Sequence, residues 1–357
     1  MGRAARRRPT CKTAGVSDAA PPRDPVADLR EIAYLLEQSN AATPRVKAFR
    51  TAAALAESIG LDELSARIAN RTLTKLPGIG DSTAAVITDS LAGRRPAYFA
   101  KVEADLPAAS PPGPMRQALR GDLHMHSDWS DGGSPIEEMV RAARDLGHEY
   151  VALTDHSPRL TVARGLSPDR LREQLAIVRR LNEDMAPFRI LTGIEVDILD
   201  DGGLDQEEEL LAQLDIVVAS VHSKLRMDAA AMTRRMVLAV ANPHTDILGH
   251  CTGRLLSGRG RAESEFDAAI VFEACRRFGV AVEINSRPER LDPPRRLLRQ
   301  AIDTGCVFSI DTDAHAPGQL EWQVNGCVRA EECDLDPSRV INTLPVEDLL
   351  SRPRPAG

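Results

Sequence analysis

The chain has 357 residues, enough for about two domains, and 43% of them are hydrophobic, which is ample for a packed core. No apolar run is long enough to cross a membrane, and the basic N-terminus lacks the apolar stretch of a secretory signal. The six cysteines are scattered, which favours reduced thiols and a cytoplasmic chain. The net charge of −7 is unevenly distributed along the chain. Residues 1–120 carry 18 Lys and Arg against 12 Asp and Glu, whereas residues 121–357 carry 27 Lys and Arg against 40 Asp and Glu. A polyanion should therefore bind the first part in preference to the second.

The first third of the chain contains no histidine and reads as helical. Residues 1–24 are rich in Arg, Ala and Pro and are predicted to form a disordered basic tail. Residues 25–105 place apolar side chains three and four positions apart, which predicts a small helical domain. Residues 106–119 contain the run "LPAASPPGP", and their prolines predict a linker.

One short stretch of the helical domain, "LTKLPGIGDSTAAVI" at 73–87, is typical of a helix-hairpin-helix. Gly78 and Gly80, on either side of Ile79, permit a tight turn, and the N-terminus of the next helix offers amides to a phosphate near Lys75. These four residues are the predicted DNA contacts. The alternative is a glycine-rich turn that merely joins two packed helices. The predicted phosphate-facing patch, against the alternative of scattered surface charges, comprises Arg45, Lys47, Arg50, Lys75, Arg94 and Arg95.

After residue 120 seven short apolar runs alternate with helix-like stretches. The runs are "GDLHMHS", "YVALTDHS", "RILTGIEVDI", "DIVVASVHS", "TDILGHCTG", "VAVEINS" and "CVFSIDTDAH". Each is apolar first and polar at its C-terminal end, which is typical of βα units around a parallel sheet. We therefore predict an α/β fold, an irregular (β/α) barrel of seven strands, with its site at the strand C-terminal ends.

The polar residues at those strand ends form the most informative set in the sequence. They are His124 and His126, Asp155 and His156, Glu195 and Asp197, His222, His250, Glu283 and Asn285, and Asp313 and His315. Imidazoles and carboxylates together suit Zn²⁺, Mn²⁺ or Fe²⁺, and so many ligands predict two or three ions that activate a water for phosphoryl transfer. A lone His or Asp at a strand end is more often structural, but its recurrence at six of seven ends favours ligands. His148 and His244 precede strands and are expected at the surface.

The motifs "DLHMHSDWSDG", "ALTDHS", "GIEVDIL", "ASVHS", "LGHCTGRL", "VEINS" and "DTDAH" resemble those of the PHP (polymerase and histidinol phosphatase) domain, above all the C-terminal PHP domain of bacterial X-family DNA polymerases. The resemblance covers nearly all of 120–350 and implies a distorted seven-stranded barrel with a trinuclear metal site. The metal ligands and catalytic residues that it implies are His124, His126, His156, Glu195, His222, His250, Asp313 and His315, with Asp131 as a weaker candidate.

The same resemblance implies roles around the ligands. Glu195 is placed to bridge two ions, while Asp155 and Asp197 are expected to orient ligands from behind. Arg254 is expected either to bind a substrate phosphate as a bidentate donor or to form a surface salt bridge. Trp129, next to the first histidine motif, is expected either to touch substrate or to pack in the core.

The first domain also resembles X-family polymerases, over residues 28–105. In some members a lyase lysine follows the hairpin, but the matching position here is Val86, so lyase activity is expected to be absent. Only about 15 residues separate the two domains, which is too short for a polymerase palm. The chain is therefore expected not to polymerise DNA.

These features together predict a metal-dependent phosphoesterase of DNA ends that acts in DNA repair. It is expected to be a 3′–5′ exonuclease or a 3′-end-trimming phosphatase, with sequence-independent DNA binding and no membrane partner. One alternative is a small-molecule phosphatase of the histidinol-phosphatase type, which leaves the first domain unexplained. The other is a non-catalytic DNA-binding accessory, which the full ligand set disfavours. The native metal, the strand polarity and the oligomeric state stay open.

Overall fold

A computed structural model describes residues 21–106 and 111–352. Most of the predicted disordered tail, residues 1–20, and residues 107–110 of the predicted linker lie outside this described part. Within it the chain forms two compact units. The first comprises residues up to 33 together with 42–105, and the second comprises 34–41 together with the chain from 106 onward.

The N-terminal region is helical, as the sequence predicts. Its helices are α1 (Pro25–Gln38), α2 (Thr43–Ala69), α3 (Asp81–Leu91) and α4 (Tyr98–Glu103), with a 3₁₀ turn at Leu73–Lys75. Leu29, Ile32 and Leu36 recur at helical spacing on α1, and all three are fully buried. α2 bends at Gly60, whose φ of +79° lies in the left-handed region that glycine adopts most easily.

The second unit is a barrel of parallel strands, which confirms the predicted fold class. The strands are β1 (Gly121–Met125), β2 (Tyr150–Leu153), β3 (Arg189–Asp197), β4 (Ile216–Ser220), β5 (Ile247–Leu248), β6 (Ala281–Asn285) and β7 (Phe308–Asp311). They pair in sequence order from β1 to β7. A parallel bridge joins Met125 to Ala314, and the His126 amide donates to the Ala314 carbonyl at 2.8 Å. The end of β1 therefore contacts the segment after β7, and the barrel is nearly closed.

Helices cover the outside of the barrel. They are α5 (Pro114–Ala118), α6 (Ile136–Asp145), α7 (Pro168–Met185), α8 (Glu208–Leu211), α9 (Ala229–Val240), α10 (Ala268–Phe278), α11 (Arg295–Thr304), α12 (Gln323–Glu331) and α13 (Val346–Leu350). Shorter 3₁₀ turns lie at Thr161–Ala163, Pro317–Trp322, Pro337–Arg339 and Ile341–Thr343. The short α5 lies inside the predicted linker because Pro114 starts a helical turn and Met115 is buried. Among the described helices, none is long and apolar enough to span a bilayer.

The strands explain why the site lies where it does. Every residue of β1, β2, β4, β5, β6 and β7 is buried, as expected for parallel strands covered on both faces. Polar side chains on such strands must find partners inside the protein, because water does not reach them. The carboxyl ends of all seven strands face the same rim, which brings distant parts of the sequence together.

His148 is buried, so the predicted surface position is wrong. Gly147, with a φ of +87°, turns the chain back beneath α6, and the His148 amide donates to the Ala143 carbonyl at 3.2 Å. Only 4% of the residue is exposed, and neither ring nitrogen has a hydrogen-bond partner within the described residues. Burial, and then the charge of Arg116, lower the pKa of this imidazole to about 3.

We expect His148 to make the fold sensitive to acid. Its folded-state pKa lies below the value of about 6.5 in the unfolded chain, so below pH 6.5 the unfolded chain binds a proton that the folded chain excludes. Above about pH 6.5 the titration of His148 therefore does not change the free energy of unfolding. Between about pH 6.5 and pH 5 it lowers the free energy of unfolding by about 2 kcal/mol. Denaturant unfolding at pH 7.5 and pH 5 should show a smaller loss of stability in His148→Gln. Equal losses in both proteins would contradict the assignment, since all other titrating groups are shared.

Candidate metal centre

The two histidines of the first motif lie side by side at the end of β1. His124 is the fourth residue of the strand and His126 follows its end, so both imidazoles project to the same side. Their ring centroids are 5.1 Å apart, and both residues are completely buried. Two imidazoles are thus held together in the barrel interior.

Glu195, on β3, is the centre of the cluster. Its Oε2 lies 2.9 Å from His156 Nδ1, 3.4 Å from His124 Nε2 and 3.6 Å from His126 Nε2. Its Oε1 lies 2.9 Å from His250 Nε2 and 3.2 Å from His222 Nε2. The two oxygens of one carboxylate therefore face different sets of imidazoles, which is the arrangement that a bridging ligand requires.

Three overlapping groups of side chains bring their ligand atoms within 4.8 Å of one another. The groups are His126, Asp131, His156 and His315; His124, His126 and Glu195; and His156, Glu195 and His222. His250 joins through Glu195 at 2.9 Å, and Asp313 Oδ1 lies 3.5 Å from His126 Nε2. The structure thus brings together all nine predicted metal ligands, including Asp131, the weakest candidate.

The buried polar atoms of this cluster fit bound cations. Within the described residues, both ring nitrogens of His126 and His222 and one ring nitrogen each of His124, His156 and His250 make no hydrogen bond, and the same holds for Glu195 Oε2. A buried polar atom without a partner is costly, and several of them converging on one carboxylate are rarely tolerated. Metal coordination satisfies such atoms, and imidazole with carboxylate is the donor set that Zn²⁺, Mn²⁺ and Fe²⁺ accept.

Neighbouring charges move the pKa values of the cluster in opposite directions. Burial disfavours the charged form of His156, but Glu195 and Asp131 outweigh it and raise its pKa to about 10. Burial and the adjacent imidazoles, His315 first, lower the pKa of His126 to about 3. Burial also opposes ionisation of Glu195, yet the surrounding imidazoles hold its pKa well below its usual value. Protons and cations compete for these ligands, so cation binding should release protons.

Buried carboxylates behind the ligands hold some of them in place. Glu283, on β6, lies 2.6 Å from His124 Nδ1 and accepts the His250 amide at 2.5 Å. Asp197 accepts the His222 amide at 3.0 Å, so its expected orienting role matches its position. Glu283 is predicted from the sequence only as a strand-end residue without a role, and its place near the end of β6, two residues before Asn285, is a local feature that could have marked it.

Asp155 contacts the loop after β1 rather than a ligand imidazole. Its carboxylate accepts the Ser127 amide at 2.9 Å, the Ser127 hydroxyl at 2.6 Å, the Ser130 hydroxyl at 2.5 Å and the Gln174 side-chain amide at 2.7 Å. These bonds shape the turn that carries Asp131. Asp155 therefore acts on the ligands through that loop.

Two arginines that the sequence analysis missed lie beside Asp313. Arg290 Nε is 3.0 Å from Asp313 Oδ2, and Arg287 donates to the Asp313 carbonyl at 3.0 Å and lies 2.9 Å from His315 Nδ1. The backbone of Asp313 has a φ of +53°, a conformation that costs energy in a non-glycine residue and is often found at functional sites. The two arginines follow Asn285 in "NSRPER", just after the end of β6. This position could have marked them as candidate residues of the site.

A cleft of about 410 Å³ opens over this centre. Its lining combines ligand side chains, both arginines and apolar residues from two loops: Asp131, His156, Leu160, His222, Leu255, Ser257, Arg287, Glu289, Arg290, Asp313 and His315. A cleft with cationic side chains beside a set of metal ligands suits a phosphate ester.

Arg254 and Trp129 do not line this cleft. Arg254 donates through Nε to the Arg290 carbonyl at 2.9 Å and through a terminal nitrogen to the Leu291 carbonyl. It thus supports the loop that carries Arg290 and faces away from the ligands. Trp129 is half-buried against the core, with the Arg170 guanidinium 5.7 Å from its ring centroid.

In the first unit, the predicted hairpin has the expected local form. Gly78 has a φ of +96°, Gly80 precedes α3, and the Thr83 hydroxyl bonds to the Gly80 amide at 3.0 Å. Lys75 and the two glycines are exposed, whereas Ile79 is buried and packs in the core.

Part of the predicted basic patch is neutralised by nearby acids. Arg94 pairs with Asp89 at 2.6 Å, and Arg95 pairs with Glu103. Arg45 donates to the Tyr98 hydroxyl at 2.9 Å and lies 3.7 Å from Asp105. Lys47 and Lys75 are the exposed lysines of the set.

Comparison with known proteins agrees with this geometry. The family model described as PHP domain matches residues 122–287. The DNA polymerase/3′-5′ exonuclease PolX of Bacillus subtilis is 40% identical over 231 residues, which are 65% of this chain and 40% of that protein. A probable phosphatase of Thermoanaerobacter sp. is 30% identical over 205 residues, which are 54% of this chain and 78% of that protein. The chain thus spans well under half the length of the Bacillus relative.

Among solved structures, a histidinol phosphate phosphatase from Lactococcus lactis, crystallised with zinc, L-histidinol and phosphate, matches with a TM-score of 0.45. The match is 18% identical and covers 61% of this chain and 95% of that one.

Proposed function

This chain belongs to the PHP domain family, and from that premise we propose that it is a metal-dependent phosphoesterase that trims the 3′ ends of DNA in repair, as a 3′–5′ exonuclease or a 3′-end phosphatase. The observation that carries the proposal is Glu195, whose two oxygens face five imidazoles, two of which line a cleft that also holds two arginines. The similarity to the Bacillus polymerase/exonuclease supports DNA as the substrate.

We propose that the centre holds two or three divalent ions, Mn²⁺, Zn²⁺ or Fe²⁺. Asp131, His156 and His315 would hold one of them. The Oε1 side of Glu195, with His222 and His250, would hold a second. The Oε2 side, with His124, His126 and Asp313, would hold a third. When bound, such ions activate a water at neutral pH and stabilise the charge of a departing oxygen.

The protein itself binds and orients the ester. Arg290 and Arg287, held beside Asp313, offer guanidinium donors to the non-bridging oxygens of a phosphate. Glu283 keeps the His124 ring in one orientation by its contact at 2.6 Å. Leu160 and Leu255 supply apolar side chains to the lining of the cleft.

The first unit would bind DNA without reading its sequence. The exposed residues Gly78, Gly80 and Lys75 lie next to the N-terminus of α3, and backbone amides at such an end bind phosphate. We also propose a cytoplasmic location, because the cysteines of the described residues are free and buried.

A small-molecule phosphatase is the second candidate, and a specific observation favours it. The chain covers 78% of the Thermoanaerobacter probable phosphatase but only 40% of the Bacillus polymerase/exonuclease. A cleft of about 410 Å³ also suits a small phosphate ester. This candidate leaves the helix-hairpin-helix without a role, so we rank it second.

The test is incubation of the protein, reconstituted first with Mn²⁺ and then with Zn²⁺, with a 5′-labelled single-stranded oligonucleotide. We expect a ladder that shortens from the 3′ end, absent in Asp313→Ala and retained in Asp303→Ala, an exposed position on α11. An intact oligonucleotide together with phosphate release from p-nitrophenyl phosphate would transfer the assignment to a small-molecule phosphatase. Oligonucleotide binding without turnover of either substrate would leave a non-catalytic DNA-binding protein.

A further inference from the structure

A second cleft lies on the barrel unit beside the metal centre and is larger, at about 640 Å³. None of its lining residues belongs to the cleft over the metal ligands. The lining comes from the segment after β5 (254–266), the first residue of α9 and the second and third residues of α11. All three segments follow the carboxyl ends of strands, so this second cleft opens on the same rim as the metal centre.

One turn, residues 255–261, forms the wall between the two clefts. Leu255 and Arg261 exchange backbone hydrogen bonds at 2.9 Å in both directions, which makes the turn a short antiparallel ribbon. Leu255 and Ser257 line the metal cleft, whereas Leu256 lines the second cleft.

The second cleft is rich in arginine. Arg254, Arg261 and Arg296 line it, and Glu263 is their acidic neighbour, 3.5 Å from the Arg254 guanidinium and in contact with Arg296. Across residues 21–106 and 111–352, no carboxylate comes within ion-pair distance of Arg261, which donates only to the Gly253 carbonyl.

Arg261 lies at the end of the turn that separates the two clefts and is half-buried. Burial, and then the charge of Arg290, lower the pKa of Arg261. A half-buried guanidinium without a carboxylate partner is stabilised by a bound anion. The turn is therefore a place where a strand of phosphates can pass from one cleft to the other.

Apolar side chains form another part of the lining of the second cleft, next to Ser264 and a second carboxylate, Glu265. Leu256, which is 55% exposed, lines it together with Phe266 and Leu297. Arginines beside an apolar floor match the two parts of a nucleotide, a phosphate and a flat ring with its sugar. An inorganic phosphate alone would leave the floor without a partner.

We propose that the second cleft binds a nucleotide unit of the same single strand whose 3′ end enters the metal cleft, with the 255–261 turn between the two units. This assignment rests on the proposed function, because it extends the substrate of that site from a terminal ester to a strand. The assignment predicts that the protein contacts its substrate at more than one phosphate.

The test compares the wild-type protein with Arg261→Gln/Arg296→Gln, and uses Arg180→Gln/Arg277→Gln, at two exposed arginines on α7 and α10, as the charge-matched control. The probe is a fluorescent oligothymidylate of about twelve nucleotides with phosphorothioate 3′ linkages, which prevents its consumption. We expect the double variant to bind about tenfold more weakly, and the slope of log affinity against log salt to shrink by about 0.7 for each lost phosphate contact. Hydrolysis of p-nitrophenyl phosphate should stay unchanged.

Unchanged oligonucleotide affinity and salt slope in the double variant would overturn the proposal. Thymidine 5′-monophosphate provides the second arm. If the double variant loses binding of this nucleotide but keeps binding of the oligonucleotide, the cleft belongs to a free nucleotide and the strand assignment fails. Because binding is measured without turnover, a wild-type protein that binds the probe but hydrolyses no ester would refute the proposed function and still decide the role of the second cleft.

Discussion

Glu195→Gln is expected to reduce phosphoesterase activity about 10³-fold and to lower the metal content of the purified protein. The substitution keeps the size of the side chain but removes the negative charge that five imidazole rings surround. A neutral amide is a poor bridging ligand for cations. Its NH₂ group has no lone pair to offer a cation, although it would occupy the position of a carboxylate oxygen. Turnover measured together with metal analysis of the same preparation checks both parts of this prediction.

Glu209→Gln is the matched control for that experiment, because it makes the same chemical change at an exposed position of α8. It should retain both full activity and full metal content. A Glu195→Gln protein that keeps its metal and its activity would show that the carboxylate is a structural group, and the three-ion arrangement would then lose its central ligand.

Arg290→Gln is expected to lower kcat/KM about 10²-fold while the metal content stays the same. Arg290 is the guanidinium closest to Asp313 in the cleft, and the charge of Asp313 raises its pKa against the effect of burial, so it stays protonated there. Its role would be to donate two hydrogen bonds to the phosphate. Arg290→Lys should restore little activity, because an ammonium group keeps the charge but lacks the planar fork.

Steady-state kinetics of these variants beside Arg299→Gln, an exposed arginine on α11, separate the role of Arg290 from a general loss of positive charge. If Arg290→Gln loses metal in proportion to activity, Arg290 acts by holding Asp313 and not by binding the ester. If Arg290→Lys equals the wild type, charge alone suffices and the bidentate contact is wrong.

The barrel and the cluster of polar side chains on its rim were predictable because both follow from local pattern. Seven apolar runs that each end in polar residues predict parallel strands, and the strand ends of a parallel barrel necessarily meet on one rim. His124 and His126 therefore point together because of strand geometry alone, before any contact is known. The likeness of their motifs to the PHP domain is confirmed by the family match over residues 122–287.

The supporting residues were not predictable in the same way. Glu283 is one of many buried-strand carboxylates by sequence, and only the structure shows it 2.6 Å from His124. Arg254 and Arg290 both lie in polar loops after strands, and the local sequence does not show which of the two guanidinium groups reaches the metal cleft. The fold turns Arg290 toward Asp313 and turns Arg254 toward the carbonyls of the loop that carries Arg290. His148 was misplaced for the same reason, since burial depends on what packs over a turn.

The sequence by itself determined the order of strands and helices, the two-part organisation of charge and the identity of the metal-seeking side chains, because periodicity and residue type are local properties. The tertiary structure alone decided which oxygen of Glu195 faces which imidazole, which arginine reaches the cleft and where a second cleft opens beside the 255–261 turn. Those outcomes depend on distances between segments far apart in the chain, and such distances exist only once the barrel has closed.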